Sequence, residues 1–322
     1  MGDCVSRLAM CALLASVLIA ASANAASRNC TTSEKKAAND QLIAIEGDLQ
    51  HQSQIAARHA PFGVPVTTIS ANNEKALFQN GYILGHDGDL RTALWVSYRL
   101  TANDIAGATG KDRVNCFRAD PRLQRASAAS TSDYKEPIYD QGHMTNDADL
   151  KDDITEQINT YMMSNMSPQH CRFNRGIWLS LEHLTRVWAE KYGDLLITSG
   201  AIFDRDGLPG RDEDAASMRM KSNSGKERVA VPSDYFKTFL RRENGTWHAI
   251  SFKLPHNNDD NGVEWADVKD KVEASISSIA LVERAAGLDL FPNIDTVSLQ
   301  ESMDGSDWDL TVGRSNFSGS CR

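Results

Sequence analysis

Positive charge is in short supply. The 322-residue chain carries 34 lysines and arginines against 43 aspartates and glutamates, for a formal net charge of −9. That balance argues against a protein that grips nucleic acid tightly over a broad surface, because phosphate binding calls for a basic footprint. It leaves room for a local basic cleft on an acidic body. No long hydrophobic run follows the first twenty-five residues. There is also no internal repeat, heptad array or glycine-rich phosphate loop, which argues against solenoids, coiled coils and P-loop nucleotide binding. Cysteine is sparse at six residues, and no two stand at the spacing of a zinc-ligand pair. What remains, 41% hydrophobic and 24% charged, is ordinary for a globular chain of one or two domains.

The amino terminus reads as a targeting segment. Arg7 precedes the apolar run from Leu8 to Ala21, and Ala23-Asn24-Ala25 fits small-x-small cleavage. We expect residues 1–25 to be a signal peptide, giving an exported protein, periplasmic or secreted, with no membrane attachment after cleavage. Cys4 and Cys11 leave with it. Cys30, Cys116, Cys171 and Cys321 remain, an even number that implies two disulfides among three possible pairings. Residues 31–59 read as one helix, with Thr31 and Glu34 as a capping box, inside an N-terminal extension and connector over 26–74.

The chemistry concentrates between Tyr139 and Arg186. His143 follows Gly142, a pairing that suits a backbone approaching a substrate while an imidazole serves as base. Downstream, with about 100° per residue from Asn174, Ile177, Leu181, Leu184 and Trp188 fall within about 60° of one another. Asn174, Trp178, Glu182 and Arg186 line the adjoining stripe at steps of about 40°. Taken singly, His143 reads as a core or surface histidine, Asn174 as a helix-start asparagine, Glu182 as a solvated carboxylate and Trp178 as core.

Together they form a pattern. Asp140-Gln141-Gly142-His143, followed by Asn165, Pro168, Gln169, Asn174, Gly176, Trp178, Leu181 and Glu182, resembles the sugar-nonspecific DNA/RNA endonucleases of the ββα-metal (His-Me finger) class. Their signature runs Asp-Arg-Gly-His, Asn-x-x-Pro-Gln, Asn-x-Gly-x-Trp-x-x-Leu-Glu. Gln141 stands where that family has arginine. The resemblance implies an α+β fold with a mixed or antiparallel central sheet flanked by helices. It also implies an endonuclease domain over residues 75–295, followed by a tail, 296–322, without evident chemistry.

The roles that the resemblance implies are specific. His143 is the general base and Asn174 the protein ligand of one Mg²⁺, for which Mn²⁺ is a possible substitute. Glu182 holds the water around the ion. Arg113 and Arg186 clamp the phosphate, with Arg118 a close second to Arg113; Asn165 positions groups near the phosphate. Asp140, Gln141, Gly142 and Trp178 support the site. DNA and RNA are the expected substrates, and a homodimer is possible. A nucleic-acid-binding protein that lost its catalytic rate, or a hydrolase of another phosphodiester, are the other readings. Because Cys116 lies three residues after Arg113 and Cys171 three before Asn174, a bridge between them is expected, leaving Cys30 to Cys321.

Elsewhere Tyr82–Gly85 and Ala93–Leu100 flank the turn Asp87-Gly88-Asp89 as a hairpin. Asp194–Phe203 reads as a buried strand, 204–228 as a long surface loop, 231–237 and 247–252 as strands, and 275–286 as a helix.

Overall fold

The computed structural model describes residues 27–69, 73–206, 208, 210–221, 229–262, 264–295, 299–314 and 321. The expected signal peptide and part of the 204–228 loop lie outside them. A short strand, β1 (Ser27–Asn29), leads into α1 (Thr32–Glu46). Thr31 Oγ1 accepts from the Glu34 N–H at 3.2 Å, and the Glu34 carboxylate accepts from the Thr31 N–H at 2.8 Å, the reciprocal cap the sequence predicts. The single helix expected over 31–59 is two helices. Gly47 ends α1, donating its N–H to the Ala44 carbonyl. Asp48 then caps α2 (Leu49–His59) by accepting from the His51 N–H at 3.0 Å. Apolar periodicity runs across that break, whereas the local stop and start signals are Gly and Asp themselves.

After β2 (Val66–Thr67) come β3 (Glu74–Gln79), β4 (Tyr82–Asp87) and β5 (Thr92–Thr101), which form an antiparallel meander with the expected hairpin at its centre. Helix α3 (Ala102–Ala108) and β6 (Arg113–Asn115) follow. Next, β7 (Tyr139–His143) pairs antiparallel with β8 (Met166–His170), so His143 faces Met166 and Gly142 faces Ser167. Between them lies α4 (Ile154–Thr160). The chain then enters α5 (Cys171–Phe173), a π-helical turn over Asn174–Trp178, and α6 (Leu179–Tyr192).

Strands β9 (Asp194–Ile202), β10 (Asp234–Glu243) and β11 (Thr246–Pro255) extend the meander into the central sheet. Its order is completed by β12 (Ile276–Ser277) beyond β11 and by β3 at the far edge. Helix α6 lies on this sheet, where the Trp188 ring meets Phe239 at 5.0 Å. The helix expected over 275–286 starts later. Residues Ile276–Ser277 pair with β11, and Ser278 caps α8 (Ile279–Ala286) through the Leu281 N–H at 3.2 Å. A helix that the sequence reading leaves out, α7 (Trp265–Ala274), comes before it. A two-residue strand β13 (Leu288–Asp289) joins β2. Residues 299–314 return to the body. β14 (Leu299–Ser302) pairs in parallel with β11, and Trp308 is buried against Trp188 at 4.8 Å.

The expected disulfide pairing does not form. The bridges are Cys30–Cys116 and Cys171–Cys321, with Cα separations of 5.3 and 5.7 Å. The reason is register. β1 and β6 pair in parallel with Asn29 opposite Asn115, which sets Cys30 beside Cys116, and the Cys30 N–H donates to the Asn115 carbonyl at 2.9 Å. Arg113 and Asn174 nonetheless line one cleft.

Candidate active site

The end of β7, the turn after it, the π turn and the first half of α6 line a cleft of about 280 Å³. His143, at the end of β7, is 9% exposed. Its backbone carbonyl accepts from the Trp178 indole N–H at 3.1 Å, so the buried tryptophan fixes the histidine's backbone to the helix. The ring stands edge-on to Tyr161 at 4.8 Å. Its Nε2 is sealed from solvent without a partner among the described residues, which leaves Nδ1 as the nitrogen with access to the cleft. Burial lowers the imidazole pKa to about 4, with Asp147 acting against the shift. A glycine precedes it for a packing reason. A Cβ at Gly142 would come 2.2 Å from the Gln169 side-chain oxygen, and Gln169 is fully buried.

Asn165, expected near the phosphate, is fully buried and does not line the cleft. Its Oδ1 accepts from the Thr145 N–H at 3.0 Å, and its Nδ2 donates to the Thr145 and Thr160 carbonyls at 2.9 and 2.8 Å. It braces the chain just after His143.

The helix that carries Asn174, Trp178, Glu182 and Arg186 is not one continuous α-helix. Gly176 leaves helical geometry and makes a π turn, a feature that often re-aims side chains at functional sites. The turn swings Asn174 out to the cleft while Trp178 stays buried. Asn174 Nδ2 donates to Asp140 Oδ2 at 3.0 Å, which leaves its carbonyl oxygen as the atom it offers the cleft. Asp140 also takes a bidentate ion pair from Arg175, at 2.8 and 2.7 Å. Gln141 shares the face of β7 that bears His143 by strand alternation, yet it does not line the cleft, whereas Arg175 does.

Glu182 lines the same cleft and is 6% exposed. Burial pushes its carboxyl up to about 7, opposed by the charges of Lys237 and Arg186. Lys237 is fully buried on β10, with its ammonium 4.6 Å from the centre of the Trp178 ring. Arg186 donates to Asp149 Oδ1 at 2.9 Å, and Tyr98 donates to the other oxygen at 2.8 Å, so a buried aspartate sets that guanidinium. Arg113 donates to the Tyr161 hydroxyl at 2.5 Å and lies 3.4 Å from Asp147. Arg118 is buried, bonded to Asn39, Asn159 and two carbonyls, and takes no part in the cleft wall. Lys151 and Arg314 complete the basic lining.

Five site residues named from sequence therefore meet in one cleft: Arg113, His143, Asn174, Glu182 and Arg186. Asp149 was not legible as a site residue, since a lone aspartate carries no spacing signal, and Tyr98 and Lys237 read only as strand residues. Arg314, which also lines the cleft, lies in the stretch read as a tail. The oxygen donors fit a hard divalent cation. Asn174 presents an amide carbonyl and Glu182 a carboxylate to one small polar cleft, with no thiolate or second imidazole lining it among the described residues.

Two antiparallel strands feeding a helix, with a histidine on the first strand and an asparagine and a glutamate on the helix, define a ββα-metal nuclease. The chain belongs to the DNA/RNA non-specific endonuclease family, whose model matches residues 62–297. Mitochondrial endonuclease G of Caenorhabditis elegans is 32% identical over 223 residues, 68% of each chain. The human protein of that name is 28% identical over 218 residues, 67% of this chain and 69% of that one. Nuclease C1 of Cunninghamella echinulata var. echinulata is 28% identical over 226 residues, 69% of this chain and 85% of that one. The fold is shared with a chain in the crystal structure of the EndoG/EndoGI complex, at a TM-score of 0.61 and 24% identity, over 77% of this chain and 94% of that one.

Proposed function

We propose that the chain is an exported, Mg²⁺-dependent endonuclease that hydrolyses phosphodiester bonds of DNA and RNA without reading sequence. The observation that carries this reading is the convergence of a neutral histidine, two oxygen donors and several guanidinium groups on one cleft. When bound by Asn174, with Glu182 ordering its water shell, a hard cation such as Mg²⁺ would stabilise charge on the phosphate and on the departing 3′ oxygen. His143 takes a proton at Nδ1 from the attacking water. Its lowered pKa keeps it neutral, hence able to accept, throughout the neutral range. Arg113 and Arg186 hold phosphate oxygens, where guanidinium contacts are strongest. Asp149 and Tyr98 orient Arg186, and Trp178 and Asn165 fix the backbone at the base and just after it.

Contacts of this kind read the backbone alone, so single- and double-stranded DNA and RNA are all substrates. The acidic molecule presents a locally basic cleft, with Arg113, Lys151, Arg175, Arg186 and Arg314 lining it. Two disulfides among the described residues support an oxidising compartment. Incubating the purified chain with plasmid and with RNA, with Mg²⁺ or with chelator, tests the proposal. Both polymers should be cut with Mg²⁺ and neither in chelator. Binding without cleavage under every metal condition would contradict it.

A further inference from the structure

The loop after β9 carries Asp204, Asp206 and Asp212, and one carboxylate oxygen of each lies within 4.8 Å of the others. None of the three lines the catalytic cleft. Nearby cations are engaged elsewhere. Arg205 Nη2 donates to the Val231 and Pro232 carbonyls at 3.2 and 2.7 Å. Lys253 donates to Asp234 at 2.6 Å, and Arg211 pairs with Asp87 and Asp214. A second acidic group, Asp87, Asp89 and Asp214, makes the contrast. There Arg211 supplies the counter-charge, and Asp87 Oδ1 accepts two backbone N–H bonds at 2.9 Å.

Asp212 is the independent sign of a ligand. Its side chain is 9% exposed, and its Oδ2 accepts from the Arg205 N–H at 2.8 Å. Its Oδ1 is sealed from solvent with no hydrogen-bond partner among the described residues. A buried carboxylate oxygen without a donor is costly unless a positive charge meets it. Two further carboxylates converge on the Asp212 carboxylate, and a cation between them would answer all three.

We infer that Asp204, Asp206 and Asp212 form a second metal site, separate from the catalytic cleft, that takes Ca²⁺. Carboxylate oxygens suit a hard cation, and Ca²⁺ accepts them in flexible geometry where Mg²⁺ demands a near-ideal octahedron. The spacing matches positions 1, 3 and 9 of a twelve-residue calcium loop, with Leu208 and Pro209 at positions 5 and 6, where such loops carry an oxygen ligand and a glycine. Position 12, where such loops carry a bidentate glutamate, is Ala215. The site therefore has three acidic ligands and binds weakly, with a Kd on the order of 10⁻⁴–10⁻³ M, as in extracellular calcium modules. The ion joins the start of the loop to Asp212, whose N–H already donates to the Phe203 carbonyl at 2.7 Å.

The test is Ca²⁺ binding to the full mature chain, stripped with chelator and carrying Asn174→Ala to disable the catalytic cleft. Titration calorimetry and thermal melting across a CaCl₂ series are the readouts. The Asn174→Ala chain should bind one Ca²⁺ and melt at a higher temperature with it. Adding Asp206→Asn, at an exposed position, or Asp204→Asn should weaken that binding at least fivefold without lowering the melting temperature in chelator. An Asn174→Ala chain that takes up no Ca²⁺ would overturn the inference, as would binding weakened less than fivefold by both substitutions. Because binding is measured and cleavage is not, either result leaves the nuclease reading untouched.

Discussion

Burial acts in opposite directions on the two titrating groups of the cleft. It lowers His143 to about 4 and raises Glu182 to about 7, because the neutral form of each is the one a low dielectric favours. For Glu182, the folded pKa exceeds the ordinary value of 4.5. Its contribution to stability is full below about pH 4.5 and is lost as pH rises through about 7. In chelator, Glu182→Gln should therefore be more stable than the parent at pH 8, by about 3 kcal/mol. That gain should shrink to under about 1 kcal/mol at pH 5. Urea denaturation at the two pH values checks this, and an equal gain at both would contradict it. His143 runs the other way, costing stability as pH falls from about 6.5 through about 4. His143, Asn174 and Glu182 were legible in the sequence because their order and spacing form a signature. The work of Asn165 was not, since a buried amide takes its role from partners such as Thr145 and Thr160.

At the scale of elements, the periodic strands and the first helix cap were readable, whereas breaks and pairings were not. A 100° projection assumes one continuous helix, but Gly176 interrupts it. A Cβ there would sit 3.0 Å from Asn261 Nδ2, and Asn261 is itself held by the Arg172 and Asp259 carbonyls at 3.3 and 3.2 Å. Gly176→Ala should push that side chain and shift the π turn. We expect a stability loss of about 1–3 kcal/mol and a Mg²⁺ requirement raised several-fold in cleavage assays. An unchanged Mg²⁺ midpoint would separate the turn from the metal site. Disulfide partners depend on the β1–β6 register and on the path of the C-terminal segment, neither of which cysteine positions encode. The Cys171–Cys321 bridge closes a 150-residue separation. Replacing both cysteines with serine should cost about 2–5 kcal/mol, measured by denaturant titration in oxidising buffer. A loss below about 0.5 kcal/mol would show that the segment is held by β14 and Trp308 alone.

For the whole molecule, a net charge of −9 is compatible with a nuclease because the basic groups gather at the cleft. Substrate binding should weaken steeply with salt. Gln141 bears on this directly. It lies on the face of β7 that carries His143, while the neighbouring Arg175 is tied to Asp140. In a His143→Ala background, Gln141→Arg should tighten duplex DNA binding and steepen its log–log salt slope by about 0.9, the value of one added phosphate contact. Superimposable slopes would mean that the side chain points away from the strand. The central claim is that His143 and Asn174 perform separable tasks in one cleft, and single-turnover cleavage across a Mg²⁺ series tests it most directly. His143→Ala should slow cleavage at least about 100-fold with an unchanged Mg²⁺ midpoint, and Asn174→Ala should move the midpoint to higher Mg²⁺. A His143→Ala chain cutting at close to the parent rate would contradict it.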